Sequence, residues 1–348
     1  MLTTVGQTPD TAIPAGDAQT LHGVAAHFQL GEIIEVREIT EGVMNRNWQV
    51  TTDTGRYAVK QVLDVSADKA RRQHEVTAAL AAAGLPVPAP VTGGEGDTVW
   101  EIPAGAFAVL PWVAGAHQPC LQWSLEQCRR VGDLLAELHG ALAGLLPGAE
   151  PAPAQVAEPA KAKAAIDRYL AIIGDLPVLE PFDALVRDRL QQRRDLLEQV
   201  AHLRPDETAL VSPIGWVHGD FHDLNLLWGD GGQVAAVVDW DRLSQRPLAA
   251  EVVRSATLMF AHGDERGLDL DRVSAFVSGY TARRPLTPTE LADAEHRLWW
   301  DRVCDLWQLK RHYDQGSSSC DHLFVSAAAL LSWWTDHRAD VAGALGAR

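Results

Sequence analysis

Two carboxylates and a carboxamide stand out in the stretch WVHGDFHDLNLLWGDGGQVAAVVDWD, residues 216–241. Asp220 closes His218-Gly219-Asp220, Asn225 follows five positions later, and Asp239 ends the apolar run from Val234 to Val238. Such a set suits phosphoryl transfer, which needs a base to orient an attacking hydroxyl and hard oxygen ligands to hold Mg²⁺ against a nucleotide's phosphates. The bland alternative is a polar turn with a capping Asp and Asn. His218-x-Asp220 alone would carry little; the full set, in order, carries the inference. What must position it is a hairpin. Trp216-Val217 ends one apolar run, Leu226-Leu227-Trp228 leads into Gly229-Asp230-Gly231-Gly232, and a second apolar run ends on Asp239. A hairpin joins its outer ends, so Asp220 and Asn225 are expected to meet Asp239.

HGDFHDLNLL followed by VVDWD resembles the aminoglycoside phosphotransferase-like superfamily of small-molecule kinases, which includes homoserine kinase-like, choline kinase-like and methylthioribose kinase-like relatives. The His-x-Asp-x₄-Asn spacing also matches the protein-kinase catalytic loop. The resemblance runs from about Glu32 to the helix after Asp241 and is weakest after Gly263. It implies an α+β, two-lobed protein-kinase-like fold. Residues 1–112 would form a small antiparallel β lobe that binds nucleotide, and residues 113–348 a larger, mainly helical lobe for catalysis and the acceptor. Asp220 would receive the acceptor proton, Asn225 and Asp239 would hold Mg²⁺, and ATP or GTP would give up its γ-phosphoryl group. Asp241 is a second acid whose role, in metal, acceptor binding or structure, stays open.

Upstream, three alternating runs, Ile33 to Thr40, Trp48 to Thr52 and Tyr57 to Val62, read as an antiparallel meander. The turn GVMNRNWQV is by itself an ordinary hairpin, and there is no Walker A motif in the chain. Within the resemblance it is the loop over the nucleotide, with Gly42, Asn45 and Asn47 as contacts. Lys60, in the strand Ala58-Val59-Lys60, is then the phosphate-binding lysine. Glu75, in a helix from Ala67 to Ala83, is the acid that would hold it, although Arg71 and Arg72 offer it local partners. Leu110, Trp112 and Val113 form the linker whose main chain would meet adenine.

Beyond the linker the chain reads as helical. Ser124-Leu125-Glu126-Gln127 opens a helix with a capping-box pattern, and His139 in it reads as structural. Two departures from many relatives concern positioning. SQRPLAAEVV replaces a G-D-P-x-x-D-like stretch, with Glu251 as the expected anchor of the catalytic loop, and Asp223-Leu224 replaces Pro-Gly. A single helix is expected from Thr287 to Tyr313. On it Asp301 and Asp305 would share one face and Trp300 and Trp307 another, a candidate acceptor wall. Buried indoles beside a solvated acidic edge is the plainer reading of those four.

The chain of 348 residues has a net charge of −16 and no basic run, which argues against nucleic acid or an anionic membrane as partner. Its four cysteines show no C-x₂-C pairing and read as reduced thiols of a cytoplasmic protein. The expected partner is a small-molecule hydroxyl acceptor, met by a monomer or homodimer. An antibiotic or other natural product, in the manner of a resistance enzyme, leads as acceptor; homoserine, a hexosamine or an amino alcohol follows. A nucleotide-binding pseudokinase is the alternative of another class, and the joint presence of Lys60, Asp220, Asn225 and Asp239 speaks against it.

Overall fold

The computed structural model describes residues 15–39, 45–211 and 213–347. Its elements in chain order are α1 (Ala15–His27), β1 (Ile33–Ile39), β2 (Arg46–Thr52), β3 (Arg56–Val62), α2 (Ala67–Ala82), β4 (Trp100–Ile102), β5 (Gly105–Pro111) and α3 (Leu125–Leu145). There follow β6 (Ala152–Pro153), α4 (Pro159–Gly174), α5 (Pro181–Val200), β7 (Leu210–Val211), β8 (Ile214–Val217), β9 (Leu226–Trp228), β10 (Val234–Val237) and β11 (Ser244–Pro247). The last are α6 (Leu248–Met259), α7 (Leu270–Arg283), α8 (Pro288–Cys304), α9 (Trp307–Leu309), α10 (Asp321–Asp336) and α11 (Arg338–Ala344). The fold is α+β. It divides into two compact units, residues 1–117 with 224–243, and residues 118–223 with 244–348. The expected boundary at 112/113 lies just before the first crossing, but the return of residues 224–243 to the first unit was not anticipated.

The first unit is built on an antiparallel sheet of order β1-β2-β3-β5-β4. Alternation sets its two faces. Val59, with Trp48, Val50, Phe107 and Val109, packs against Leu21 and Val24 of α1 and the Phe28 that follows it. Val62 and Ala108 take the opposite face, with Ala70 of α2 and Val99. Lys60 lies two residues before Val62 and so belongs to the face that carries α2. That helix starts where the Ser66 hydroxyl accepts the Lys69 N–H at 3.3 Å.

The expected hairpin forms between β9 and β10, pairing Val234 with Trp228 and Val237 with Leu226 across a register shift. It joins the first unit through the reciprocal hydrogen bonds of Ala116 and Trp228, 3.0 and 2.9 Å, and through the Val237 N–H donating to Pro86 O at 2.7 Å.

In the second unit α3 opens with the expected capping box of Ser124 and Gln127. It crosses α7 where Gly132 and Gly279 face backbone; a side chain at either would collide with a carbonyl of the opposite helix. β8 pairs antiparallel with β11, Val217 opposite Ser244, so the strands before and after the hairpin segment lie side by side. The helix expected from Thr287 to Tyr313 is broken. α8 ends at Cys304, where the Asp305 N–H donates to Asp301 O at 2.8 Å, and the Asp305 carboxylate accepts the Trp307 N–H at 3.1 Å. A short polar side chain that captures a backbone N–H in this way competes with helix continuation. The turn buries Leu306 and Leu309 and passes through α9 into a π-helical stretch, Lys310–Asp314. No helix among the described residues is long and apolar enough to cross a membrane.

Candidate active site

In the first unit the charge that organises the site is Lys60. Its ammonium lies 2.6 Å from Asp241 Oδ2 and 3.4 Å from Asp239 Oδ1. The Lys60 and Asp241 side chains are each 15 % exposed, whereas Asp239 is 46 % exposed. Asp241 is itself fixed: Asn45 Nδ2 donates to the same Oδ2 at 2.8 Å, and Gln73 Nε2 donates to the Asp241 carbonyl at 2.8 Å. Asn45 in turn accepts the N–H groups of Leu63 and Asp64, at 2.9 and 3.2 Å. His74 stands beside this pair, and its pKa is pushed down to about 4 by burial first and then by the Lys60 charge. A neutral imidazole there adds no second positive charge.

Asp239 has a φ of +60°, in the left-handed region that few residues other than glycine enter. The backbone there turns sharply at the end of β10 and leaves a half-exposed carboxylate. Asn225, just before β9, accepts the Val238 N–H at 2.9 Å, so Asn225 and the residue next to Asp239 meet as the hairpin predicts. A carboxylate and a carboxamide oxygen fit a hard cation that keeps several waters and takes further oxygens from phosphates. Among the described residues no group of three or more His, Cys, Asp and Glu side chains could hold a metal by themselves.

The residues expected to meet the nucleotide lie in different settings. Glu75 points from α2 into solvent, and the ion pairs of Lys60 among the described residues are with Asp239 and Asp241. Gln73 and His74, two and one positions earlier on the helix, are the residues that α2 turns towards this cluster. The Asn45 amide is committed to Asp241 and to backbone, Asn47 sits in β2 opposite Lys60, and Gly42 lies outside the described residues. In the linker Leu110 is paired with Ala58 in the sheet. The Trp112 N–H donates to Arg56 O at 3.0 Å, which removes it as a donor to a base; Val113 follows directly.

In the second unit the site is the loop after β8. Gly219 has a φ of +85°, a conformation that suits glycine, and Asp220 N–H donates to His218 Nδ1 at 3.2 Å. Glu251 of α6, 4 % exposed, accepts from the His218 N–H at 3.2 Å and from the Gly219 N–H. Its Oε2 also lies 2.7 Å from His139 Nε2, while His139 Nδ1 lies 2.8 Å from the Tyr280 hydroxyl. Burial alone would raise the Glu251 pKa, but the His139 hydrogen bond and charge, with the Gly219 N–H, hold it below the usual range. Glu251 thus stands where an anchor of the loop was expected, and His139, read from sequence as structural, is its buried partner, with Tyr280 as a third member.

Asp220 is gripped from two sides. Arg254 Nη2 donates to its Oδ1 at 2.8 Å, and His222 Nε2 lies 3.5 Å from its Oδ2. Burial pushes its pKa up, but His222 and Arg254 together outweigh that and hold the carboxyl well below its usual range. The group is an anion throughout the physiological range. Sequence reasoning gave no role to Arg254, although it follows Glu251 by three positions and so shares that residue's helix face. His222 was missed as well.

The four residues of the expected acceptor wall separate at the break after α8. Trp300 is fully buried and donates through Nε1 to Ala157 O at 2.9 Å, a structural role. Trp307 is 44 % exposed, the one exposed indole among twelve tryptophans. It lines an open groove of about 680 Å³ with Glu158, Lys161, Tyr169, Glu207 and Cys304. Asp301 and Asp305 are exposed at the break. Desolvation and then the Asp305 charge raise Asp301 to about 6, and desolvation raises Asp305 as well.

The model of the phosphotransferase enzyme family matches residues 35–286. The homoserine kinase of Methylobacillus flagellatus is 28 % identical over 291 residues, covering 80 % of this chain and 82 % of its own. That of Neisseria meningitidis serogroup B is 28 % identical over 297 residues, covering 82 % and 88 %. Among solved structures, a spectinomycin phosphotransferase in complex with ADP and spectinomycin superposes with a TM-score of 0.64 at 13 % identity, covering 92 % of this chain and 95 % of its own. An amicoumacin kinase in complex with AMP-PNP, Ca²⁺ and its antibiotic gives 0.62 at 18 % identity, covering 92 % and 93 %. These structures share the small-molecule kinase fold with this chain. With most of its length, and every position of the loop and hairpin motif, inside the matched region, the chain belongs to the phosphotransferase enzyme family of aminoglycoside phosphotransferase-like kinases.

Proposed function

We propose that the protein transfers the γ-phosphoryl group of ATP to a hydroxyl of a small hydroxylated amino acid of the homoserine type. The observation that carries the transfer is Asp220, a carboxylate kept ionised by Arg254 and His222 on a loop fixed by Glu251. An anionic oxygen at that motif position can orient the acceptor hydroxyl and take its proton as the phosphoryl group leaves the nucleotide. Lys60 supplies positive charge for the phosphates. Asn225 and Asp239 would hold Mg²⁺, which supplies charge neutralisation at the phosphates when bound. The nucleotides and Ca²⁺ in the two superposed structures support a nucleotide and a divalent cation as cofactors.

The homoserine-type acceptor is supported by 28 % identity spread over 82 % of a homoserine kinase. A second reading, an antibiotic-sized acceptor, is supported by the fold shared with the spectinomycin phosphotransferase and the amicoumacin kinase. The test is ATP turnover with homoserine, other hydroxylated amino acids, amino alcohols and antibiotics, with product mass confirming one added phosphate. Turnover on homoserine but not on antibiotics supports the first reading, the reverse supports the second, and no acceptor-dependent turnover sinks both. On the acceptor found, Asp220→Asn should lower kcat by about 10²-fold or more and leave nucleotide binding largely intact.

A further inference from the structure

Kinases of this architecture hold the phosphate-binding lysine with a glutamate from the helix beside the sheet. Here the residue in that helix position, Glu75, faces solvent, and the lysine is held from elsewhere. We propose that Asp241, two residues beyond the expected metal ligand Asp239, is the positioning residue for Lys60 and fixes its ammonium for a nucleotide's phosphates.

Three observations, all within the first unit, converge on this. The Lys60–Asp241 contact, at 2.6 Å, is the shorter of the two ion pairs of Lys60, and both its side chains are largely shielded from water. A charge-assisted hydrogen bond at that distance and burial is stronger and less screened than one to an exposed acid such as Asp239. Asp241 is also held in place before any ligand arrives, by Asn45 on its carboxylate and by Gln73 on its carbonyl. A lysine has four rotatable carbons to order, so a fixed counter-charge removes much of that entropy cost before binding. Finally, α2 takes part without a carboxylate: it offers the Gln73 amide and a neutral His74. The helix thus acts on Lys60 through Asp241.

This places the two acids of Asp239-Trp240-Asp241 in different jobs. Asp239, more exposed and set at a positive φ, is left for the cation. Asp241 is turned inward onto the lysine. Metal coordination by both acids is the competing assignment, and it predicts a different pattern of defects.

The proposal rests on the nucleotide-dependent reading above, so its test has one arm that needs nucleotide and one that does not. Titration of AMP-PNP with Mg²⁺ should show Asp241→Asn and Lys60→Met each weakened about 10-fold. The double variant should be no weaker than the worse single one, and Glu75→Gln should bind like the native protein. Native-like binding by Asp241→Asn, multiplying defects in the double variant, or an equal defect in Glu75→Gln would overturn it. An Asp241→Asn defect that excess Mg²⁺ repairs would assign the residue to the metal instead. The second arm is the same double-mutant cycle read by urea unfolding of the unliganded protein. Non-additive midpoints support the pair, and additive ones overturn it. Should the native protein fail to bind AMP-PNP, the phosphotransferase reading falls, and the unfolding cycle still decides whether Asp241 holds Lys60.

Discussion

Asp239 and Asn225 stand at equivalent ends of one hairpin, yet they differ in charge and exposure, and substitutions should separate them. Asp239→Ala removes a charged oxygen from a half-exposed position and should abolish Mg²⁺-dependent nucleotide binding. Asn225→Ala removes a neutral donor and should weaken it by a smaller factor. Titration of Mg²⁺ at fixed nucleotide checks both, and a native Mg²⁺ profile in Asp239→Ala would withdraw that residue from the metal. At this scale the sequence was most readable where residue type and chemistry coincide. Asp220 could be picked out because few roles need a carboxylate after His-Gly in that order. Asp241 could not, because an acid two residues past a metal ligand looks the same whether it faces a cation or a lysine. Glu75 misled for a related reason: its position matched a helix register that α2 does not present to the sheet.

The element that matters most for Asp220 is the loop between β8 and β9, and its stiffness comes from α3, α6 and α7. Glu251 accepts two consecutive backbone N–H groups and touches His139, which reaches Tyr280. Glu251→Gln keeps the shape but removes the charge and turns one acceptor into a donor facing N–H groups. A loss of about 3 kcal/mol in unfolding free energy is expected, together with a fall in kcat. The sign of its pH dependence follows from the direction of the shift. The folded-state pKa of Glu251 is depressed, so its contribution is present above the unfolded value and is lost as pH falls through the folded one. Urea midpoints at neutral and acidic pH should therefore converge between native and Glu251→Gln as the pH is lowered. The strands of the meander and the capped starts of α3 and α8 were legible from alternation, Ser124 and Thr287. The end of α8 was not, because the Asp305 carboxylate capturing the Trp307 N–H is a three-residue event inside an otherwise continuous helical pattern.

For the molecule as a whole, charge is a cost as well as a signature. Asp301, although its side chain reaches solvent, sits where desolvation by the surrounding chain and the Asp305 charge raise its pKa to about 6, so at neutral pH the folded state carries a carboxylate it disfavours. A raised folded pKa means stability that is complete below the unfolded value and declines as pH rises through the folded one. Asp301→Asn should accordingly raise Tm at pH 7.5, and the gain should shrink towards pH 4; a gain unchanged with pH would show that the carboxylate is not the cause. The overall α+β plan followed from the order of strand-like and helix-like runs. The assignment of residues 224–243 to the first unit did not, since nothing in local composition says which unit a hairpin will join.

That membership has a consequence for how the chain comes into being. A protein leaves the ribosome amino end first, and residues 1–117 will have emerged well before Leu224–Leu243 can join them. Until then the first unit lacks the β9–β10 ribbon, and Lys60 lacks both its counter-charges. Its ammonium then rests on water rather than on Asp241, so the nascent sheet lacks the contact that fixes that lysine. The unit is closed by contacts of long sequence separation, which form slowly and leave partly built surfaces exposed meanwhile. The part of the protein that is made first is therefore the part that must wait, and the emergence of residues 224–243 ends that wait.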